Sequence, residues 1–154
     1  MLQKLLITGG NGMIGSSLVK KLHKDYEIVV IDRYNYNLRG FMRDIKFVNC
    51  DINDVETISP YLEDVYAVIH LAAAVHWVPK SKKDIQKFID TNVNSSERLF
   101  YTCAKKGVKR FLFFSTSDVY DKSEKEVSEC YPILPKSVYA KTKYSAELAA
   151  IKVS

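Results

Sequence analysis

The stretch LLITGGNGMIG, residues 5–15, joins a short apolar run to an amphipathic segment through four glycines. Gly9, Gly12 and Gly15 give the spacing G-x-x-G-x-x-G between a predicted strand and a predicted helix. In a dinucleotide site, such glycines allow a tight turn, a close approach of the backbone to a pyrophosphate, and close packing of helix on strand. The helix N-terminus adds free N–H groups that favour phosphates. A glycine-rich turn without a ligand is the alternative, and the glycines alone do not decide between the two.

The remainder of the chain alternates apolar runs of strand length with helical patterns. The runs are continuously apolar, as expected for parallel strands that are covered on both faces. Predicted strands are 4–8, 27–32, 45–50, 66–72 and 109–115, and predicted helices are 12–24, 54–62, 85–106 and 138–152. Segment 33–44 has no clear period, and 120–137 is polar with two prolines and is predicted to be a loop. This order predicts an α/β fold, a Rossmann-like doubly wound parallel sheet.

Composition restricts the class of protein. With 154 residues, 47% hydrophobic and 27% charged, the chain has the size and composition of one globular domain. It has no apolar run of membrane-spanning length and no signal-peptide pattern, so we expect a cytoplasmic protein without a membrane partner. The three cysteines lack paired metal spacing, so we expect reduced thiols and no metal site. The net charge of +5 is scattered and no nucleic-acid motif accompanies it, so no nucleic-acid partner is expected.

Asp32 closes the second predicted strand, where a dinucleotide fold places an acidic residue against the adenosine ribose. Its carboxylate would repel a 2′-phosphate, which favours NAD over NADP. The neighbouring Arg33 leaves NADP open, because an arginine there can accommodate that phosphate. The alternative is that Asp32 only begins a loop.

Six short motifs in order then carry a family resemblance. They are TGGNGMIG from Thr8, D-I at Asp51–Ile52, HLAAA from His70, N-V at Asn92–Val93, STSDVY from Ser115 and YAKTK from Tyr139. From Lys4 to about Ala150 the chain resembles the extended short-chain dehydrogenase/reductase family, in its NAD-dependent nucleotide-sugar epimerase/dehydratase branch. The resemblance implies a single NAD(P)-binding Rossmann domain over 1–154 that is incomplete relative to the family.

The resemblance also implies roles for individual residues. Asp51 and Ile52 would contact the adenine, and Asn92 would steady its helix and the nearby site through hydrogen bonds. Ser115 would lie along the nicotinamide, and Thr116 matches the active-site Ser/Thr. The cofactor-binding residues implied in all are Gly9, Gly12, Met13, Ile14, Gly15, Asp32, Arg33, Asp51, Ile52, Leu71, Ala72, Ala73, Asn92, Ser115, Tyr139 and Lys143.

Tyr139 and Lys143 have a chemistry that their spacing supports without the resemblance. A separation of four residues places both side chains on one helix face, one turn apart. A free tyrosine has a pKa near 10 and is a poor base at neutral pH, so it needs a nearby cation to favour the phenolate. Lys143 could supply that charge. Tyr139 would then remove a proton from a sugar hydroxyl that Thr116 also holds, while hydride leaves the adjacent carbon for NAD. A tyrosine that only packs beside an exposed lysine is the alternative.

Departures from the family pattern bear on the reaction. Asp121 and Ser95 stand where glycines are usual in the family. In the resembling pattern of the 4,6-dehydratases, the motif T-D-E stands where this chain has Thr116-Ser117-Asp118. Ser117 replaces the first of the two acids, which argues against water elimination. An epimerase or a ketosugar reductase/dehydrogenase acting on a nucleotide sugar is therefore favoured. A non-catalytic NAD-binding module and an enzyme similar to sugar-acid decarboxylases are the alternatives.

The sequence ends at Ser154, whereas members of the family that it resembles continue beyond the corresponding position. We expect the C-terminal strands and the substrate domain of that family to be missing from this chain. The strand 109–115 would then be an exposed apolar edge. We therefore expect a homo-oligomer, formed through the helices 85–106 and 138–152 or through that edge.

Overall fold

The computed structural model describes residues 2–75, 78–121 and 126–153. The strands are β1 Lys4–Thr8, β2 Glu27–Asp32, β3 Lys46–Asn49, β4 Val65–His70 and β5 Arg110–Phe113. The helices are α1 Met13–Leu22, α2 Val55–Ile58, α3 Lys82–Ile89, α4 Ser95–Lys105 and α5 Val138–Val153. The strands form one parallel five-stranded sheet in the order β3-β2-β1-β4-β5. This order, wound both ways from β1, confirms the predicted Rossmann-like α/β fold.

Alternate residues of the inner strands are buried on opposite faces of the sheet. Leu6, Val29 and Val68 pack with α2 and α4 on one face. Ile7 and Val30 pack with α1 on the other. Burial on both faces explains why these strands are continuously apolar in sequence.

Several element boundaries differ from the prediction. Predicted strand 66–72 leaves the sheet after His70, although Leu71 N–H still donates to Thr8 O. Predicted helix 54–62 is α2 followed by a 3₁₀ turn, Ser59–Leu62, that carries a proline in its first turn. Proline has no N–H to continue α-helical hydrogen bonding, so the change follows from its position.

The predicted helix 85–106 starts earlier and is interrupted. Ser81 caps α3 by accepting from the Asp84 N–H, and its hydroxyl donates to the Asp84 carboxylate in return. A π turn, Asp90–Asn94, separates α3 from α4.

Segment 33–44, which shows no clear hydrophobic period in sequence, contains a 3₁₀ helix, Tyr36–Phe41. Leu38 is the buried residue of this helix, and one buried side chain does not produce a periodic pattern. The predicted loop 120–137 has one isolated bridge, between Tyr120 and Ile133, and its residues 122–125 lie outside the described part.

The loop after β1 meets the start of α1 with no room for side chains. A Cβ atom on Gly15 would lie 2.4 Å from Gly9 O, and one on Gly10 would lie 2.6 Å from a methyl carbon of Val30. Gly9 has φ of +67°, in the left-handed region that favours glycine, and a Cβ there would lie 2.7 Å from Ala72 N. These contacts set how closely α1 packs on the sheet.

His70 is a fully buried polar residue at the end of β4. Its Nδ1 lies 2.6 Å from Thr8 Oγ1 of β1, and its Nε2 lies 2.9 Å from Ser96 Oγ of α4. Burial, and secondarily the positive charge of Lys143, lower the pKa of His70 from 6.5 to about 3. The imidazole is therefore neutral at pH 7 and joins two strands to a helix through hydrogen bonds.

Within the three described segments, no helix combines the length and apolar character needed to cross a bilayer. In the same segments, no group of three or more His, Cys, Asp or Glu side chains could hold a metal ion.

Gly15→Ala should destabilise the fold by about 1–3 kcal/mol, since the added methyl group would overlap the backbone of the loop. Gly40→Ala is the matched control, because a Cβ at Gly40 meets nothing within 4 Å. Urea unfolding of both variants checks this. Equal midpoints for Gly15→Ala and the wild type would contradict the close packing described above.

Stability should fall in acid through His70. Because the folded-state pKa of about 3 is below the unfolded value of 6.5, the unfolded chain binds the proton first as pH falls. The contribution of His70 to the free energy of unfolding is complete above pH 6.5 and is lost between pH 6.5 and about pH 3. The loss is about 1.4 kcal/mol per pH unit.

Urea unfolding across this pH range checks the prediction by comparing the wild type with His70→Gln. The variant should be less stable at neutral pH but show a shallower acid dependence. His23→Gln, which removes an imidazole outside the core, is the control. An identical slope in His70→Gln and the wild type would rule out this role.

Candidate active site

Most of the predicted site residues lie at the ends of the five strands. The glycine loop follows β1, Asp32 ends β2, residues 51 and 52 follow β3, residues 71–73 follow β4, and residues 115 and 116 follow β5, while residues 92, 139 and 143 lie on helical turns. Because all strands are parallel, their carboxyl ends lie along one edge of the sheet. The edge includes the switch point between β2-β1 and β4-β5, where open α/β sheets bind ligands.

The N-terminus of α1 faces this edge without a side-chain cap. Gly12 is the N-cap residue and makes no capping hydrogen bond, and the first turn carries no acidic residue. Met13 and Ile14 follow with exposed side chains. An uncapped first turn leaves backbone N–H groups and the positive end of the helix dipole available for an anion.

Asp32 is held in a fixed orientation at the end of β2. Its Oδ2 accepts from Asn11 N–H at 2.9 Å and its Oδ1 accepts from Tyr34 N–H at 3.2 Å. Asn11 is itself buried and accepts two hydrogen bonds from Asn37. Its Oδ1 accepts from Asn37 N–H at 2.8 Å, and its carbonyl accepts from Asn37 Nδ2 at 2.7 Å. The glycine loop, the β2 carboxylate and the 3₁₀ helix are thus one hydrogen-bonded unit.

Arg33 is directed toward Asp51 rather than standing free beside Asp32. Its Nη1 lies 3.7 Å from Asp51 Oδ2, and its guanidinium carbon is 5.7 Å from the centre of the Tyr34 ring. Asp51 Oδ1 accepts from Asn53 N–H at 2.9 Å. The side chain of Ile52 is buried in the core.

The segment after β4 is fixed from two sides. Ala72 N–H donates to Thr8 Oγ1 at 3.3 Å, and the half-buried residues 71–73 pass over the glycine loop. Asn92, in the π turn, accepts from Ala74 N–H at 2.7 Å and donates to Ala74 O at 3.1 Å and to Thr142 Oγ1 at 3.0 Å. The Asn92 amide is therefore engaged with protein groups on both its oxygen and its nitrogen, and it connects the β4 segment to α5.

The side chains of Thr116 and Tyr139 lie near each other, since the Thr116 hydroxyl acts on the pKa of the Tyr139 phenol. Thr116 also caps the short turn Ser117–Val119 by accepting from Asp118 N–H at 3.2 Å. Burial and the Asp118 carboxylate raise the pKa of Tyr139, and the nearby Thr116 hydroxyl opposes the rise. The phenol is therefore protonated at neutral pH.

Lys143 lies one turn beyond Tyr139 on α5 and is almost fully buried, with 2% of its surface exposed. Its Nζ is 4.0 Å from the centre of the Phe113 ring at the end of β5. Burial lowers the pKa of Lys143 to about 8, and the charge of Glu147 opposes that fall. The ammonium remains mostly charged at pH 7.

Ser115 is directed toward α5, because its hydroxyl donates to the Glu147 carboxylate.

Sequence reasoning missed three further residues of this edge: Asn11, Asn37 and Glu147. Glu147 could have been found, since Tyr139, Lys143 and Glu147 follow at helical spacing. Asn37 lies in a segment without periodicity, where no sequence signal marked it.

Comparisons with known proteins agree with this geometry. The model of the NAD dependent epimerase/dehydratase family matches residues 5–154. The low-salt glycan biosynthesis protein Agl12 of Haloferax volcanii is 32% identical over 154 residues, which cover 94% of this chain and 49% of that protein. The dTDP-D-glucose 4,6-dehydratase of Dictyostelium discoideum is 37% identical over 131 residues, 77% of this chain and 30% of that protein.

A solved structure gives the same result in three dimensions. The UDP-glucuronic acid 4-epimerase from Bacillus cereus, in complex with NAD, superimposes with a TM-score of 0.89 at 30% identity. The superposition covers 98% of this chain and 52% of that one. This chain thus spans about half the length of Agl12 and of the epimerase. The match over residues 5–154 shows that the chain belongs to the NAD dependent epimerase/dehydratase family.

Proposed function

We propose that this chain binds NAD along the carboxyl edge of its sheet and supplies the proton-transfer groups for oxidation and reduction of a nucleotide sugar. The observation that carries the proposal is that Tyr139, with the Thr116 hydroxyl near it, lies one turn of α5 from the buried Lys143. These groups lie at the same sheet edge as the fixed Asp32 carboxylate. Dinucleotide binding and proton transfer are therefore supported at one site.

The residues present fit a dinucleotide. The α1 N-terminus has no side-chain cap and would hold the pyrophosphate on the backbone between Gly12 and Gly15. The Asp32 carboxylate, fixed by two N–H donors, would accept hydrogen bonds from the adenosine ribose. Arg33 is directed to Asp51, which leaves the Asp32 charge unopposed against a 2′-phosphate and favours NAD over NADP.

Lys143, Tyr139 and Thr116 would act on the sugar hydroxyl. When bound, NAD supplies the carbon that takes up hydride from the sugar and returns it. Thr116 would hydrogen-bond the sugar oxygen, and Tyr139 would accept its proton during oxidation and donate one during reduction. Lys143 would stabilise the phenolate that oxidation requires, since its ammonium is buried and screened little by water.

Position 117 favours epimerisation or keto-sugar reduction over dehydration. Water elimination needs an acid as well as a base beside the sugar, and the turn after Thr116 offers Ser117 followed by Asp118. A reaction that only oxidises and reduces one carbon needs Thr116, Tyr139 and Lys143.

Self-association and a cytoplasmic location stay predictions. Leu112, 48% exposed on an edge strand paired on one side only, supports self-association.

Asp32→Ala should weaken NAD binding about tenfold or more, since hydrogen bonds to a charged group are worth about 1.5–3 kcal/mol. NADP binding should weaken less, because the substitution also removes repulsion of the 2′-phosphate. Calorimetric titration with each dinucleotide measures both affinities. Asp25→Ala, at an exposed turn between α1 and β2, is the control. Equal losses for NAD and NADP would exclude the ribose role, and no binding of either by the wild type would overturn the proposal.

Tyr139→Phe should lower sugar-dependent NADH formation about 100-fold or more while NAD affinity is unchanged. NADH absorbance is followed with UDP-glucose, UDP-galactose and UDP-glucuronic acid, with Tyr101→Phe as the exposed control. Because the pKa of Tyr139 is raised, the wild-type oxidation rate should increase with pH through the alkaline range. Full activity in Tyr139→Phe would remove Tyr139 from the reaction. NAD binding without a signal from any sugar would indicate a non-catalytic NAD-binding module.

A further inference from the structure

Glu147 lies on α5 one turn beyond Lys143 and two turns beyond Tyr139. Its carboxylate accepts a hydrogen bond from Ser115 Oγ, in the segment that follows β5. Residues four apart on a helix are neighbours on its surface, so the carboxylate and the Lys143 side chain share one side of α5. The roles assigned above to Thr116, Tyr139 and Lys143 do not account for this glutamate.

The surroundings of Lys143 explain why a carboxylate matters there. The side chain is buried against the Phe113 ring, whose electrons attract the ammonium but carry no net charge. His70 on β4, which burial keeps neutral, and Tyr139 on α5, whose phenol is protonated at neutral pH, bring no charge to it, and the Asp118 carboxylate acts on Tyr139. Glu147 is the carboxylate whose charge acts on the Lys143 ammonium.

We propose that Glu147 is a positioning residue of the candidate active site, which balances the charge of the buried Lys143 ammonium and anchors the segment after β5 to α5 through Ser115. One part rests on the proposed function, namely that the Lys143 charge stabilises the phenolate of Tyr139. The charge balance acts through space on Lys143, and the anchor acts through one hydrogen bond on the segment that continues to Thr116.

Two substitutions separate these actions. Glu147→Gln removes the negative charge but keeps an oxygen that can accept from Ser115. Ser115→Ala removes the hydrogen bond but keeps the charge. Glu56→Gln is the matched control for the loss of one carboxylate. Glu56 lies in the first turn of α2, far along the chain from α5. NMR of the whole chain labelled with ¹³C and ¹⁵N at lysine follows the Lys143 Cε signal with pH, and Lys143→Arg assigns that signal.

In the wild type the Lys143 signal should titrate near 8, well below an ordinary lysine. In Glu147→Gln the midpoint should fall by roughly half a pH unit or more, the effect of one nearby charge under partial burial. Ser115→Ala and Glu56→Gln should leave that midpoint unchanged. Backbone amide exchange over residues 114–118 should accelerate in Ser115→Ala and stay near the wild-type rate in Glu147→Gln.

An unchanged Lys143 midpoint in Glu147→Gln would overturn the charge balance, and unchanged exchange in Ser115→Ala would overturn the anchor. Both measurements are made without a dinucleotide. Failure of the chain to bind NAD would therefore overturn the proposed function and leave these two results standing.

Discussion

The close approach of three backbone segments at the carboxyl end of β1 is the constraint on which the rest of the structure depends. Gly9 touches the backbone of Ala72 after β4, and Gly15 at the start of α1 touches the carbonyl of Gly9. A side chain at Gly9 would overlap the segment after β4, and one at Gly15 would overlap the loop that precedes α1. The same lack of side chains leaves the first turn of α1 open to a ligand, so packing and binding depend on one set of residues.

Two buried basic groups near Phe113 of β5 differ in their charge state. His70 is neutral because burial and the positive charge of Lys143 both lower its pKa, and because both ring nitrogens have hydroxyl partners. Lys143 stays charged under similar burial because an aromatic face and a carboxylate are close to it. The first group therefore stabilises the fold, while the second is available to act on Tyr139.

Much of this arrangement could be predicted from the sequence because the strands are buried on both faces and the glycines are spaced for one turn. Continuous apolar runs located all five strands, and the four-residue spacing placed Tyr139 and Lys143 on one helix face. Pairing between distant residues could not be predicted. The Asn11–Asn37 hydrogen bonds join residues whose only sequence relation is that β2 lies between them. The pKa direction of Tyr139 depends on its burial and on Asp118, which spacing alone does not reveal.

The π turn at Asp90–Asn94 also limits how the gene for this chain can change. Such a turn contains one more residue than the α-helical turn it replaces. Deleting a single residue within the turn would restore a regular α-helix with both flanking segments still in phase, whereas a deletion in α4 would rotate everything on one side of it by about 100° relative to the other. After a deletion between the turn and Leu99, Asn92 could no longer reach Ala74 and Thr142 while Leu99 kept its place in the core. Single-residue deletions in α4 should therefore be selected against far more strongly than most substitutions on its exposed face.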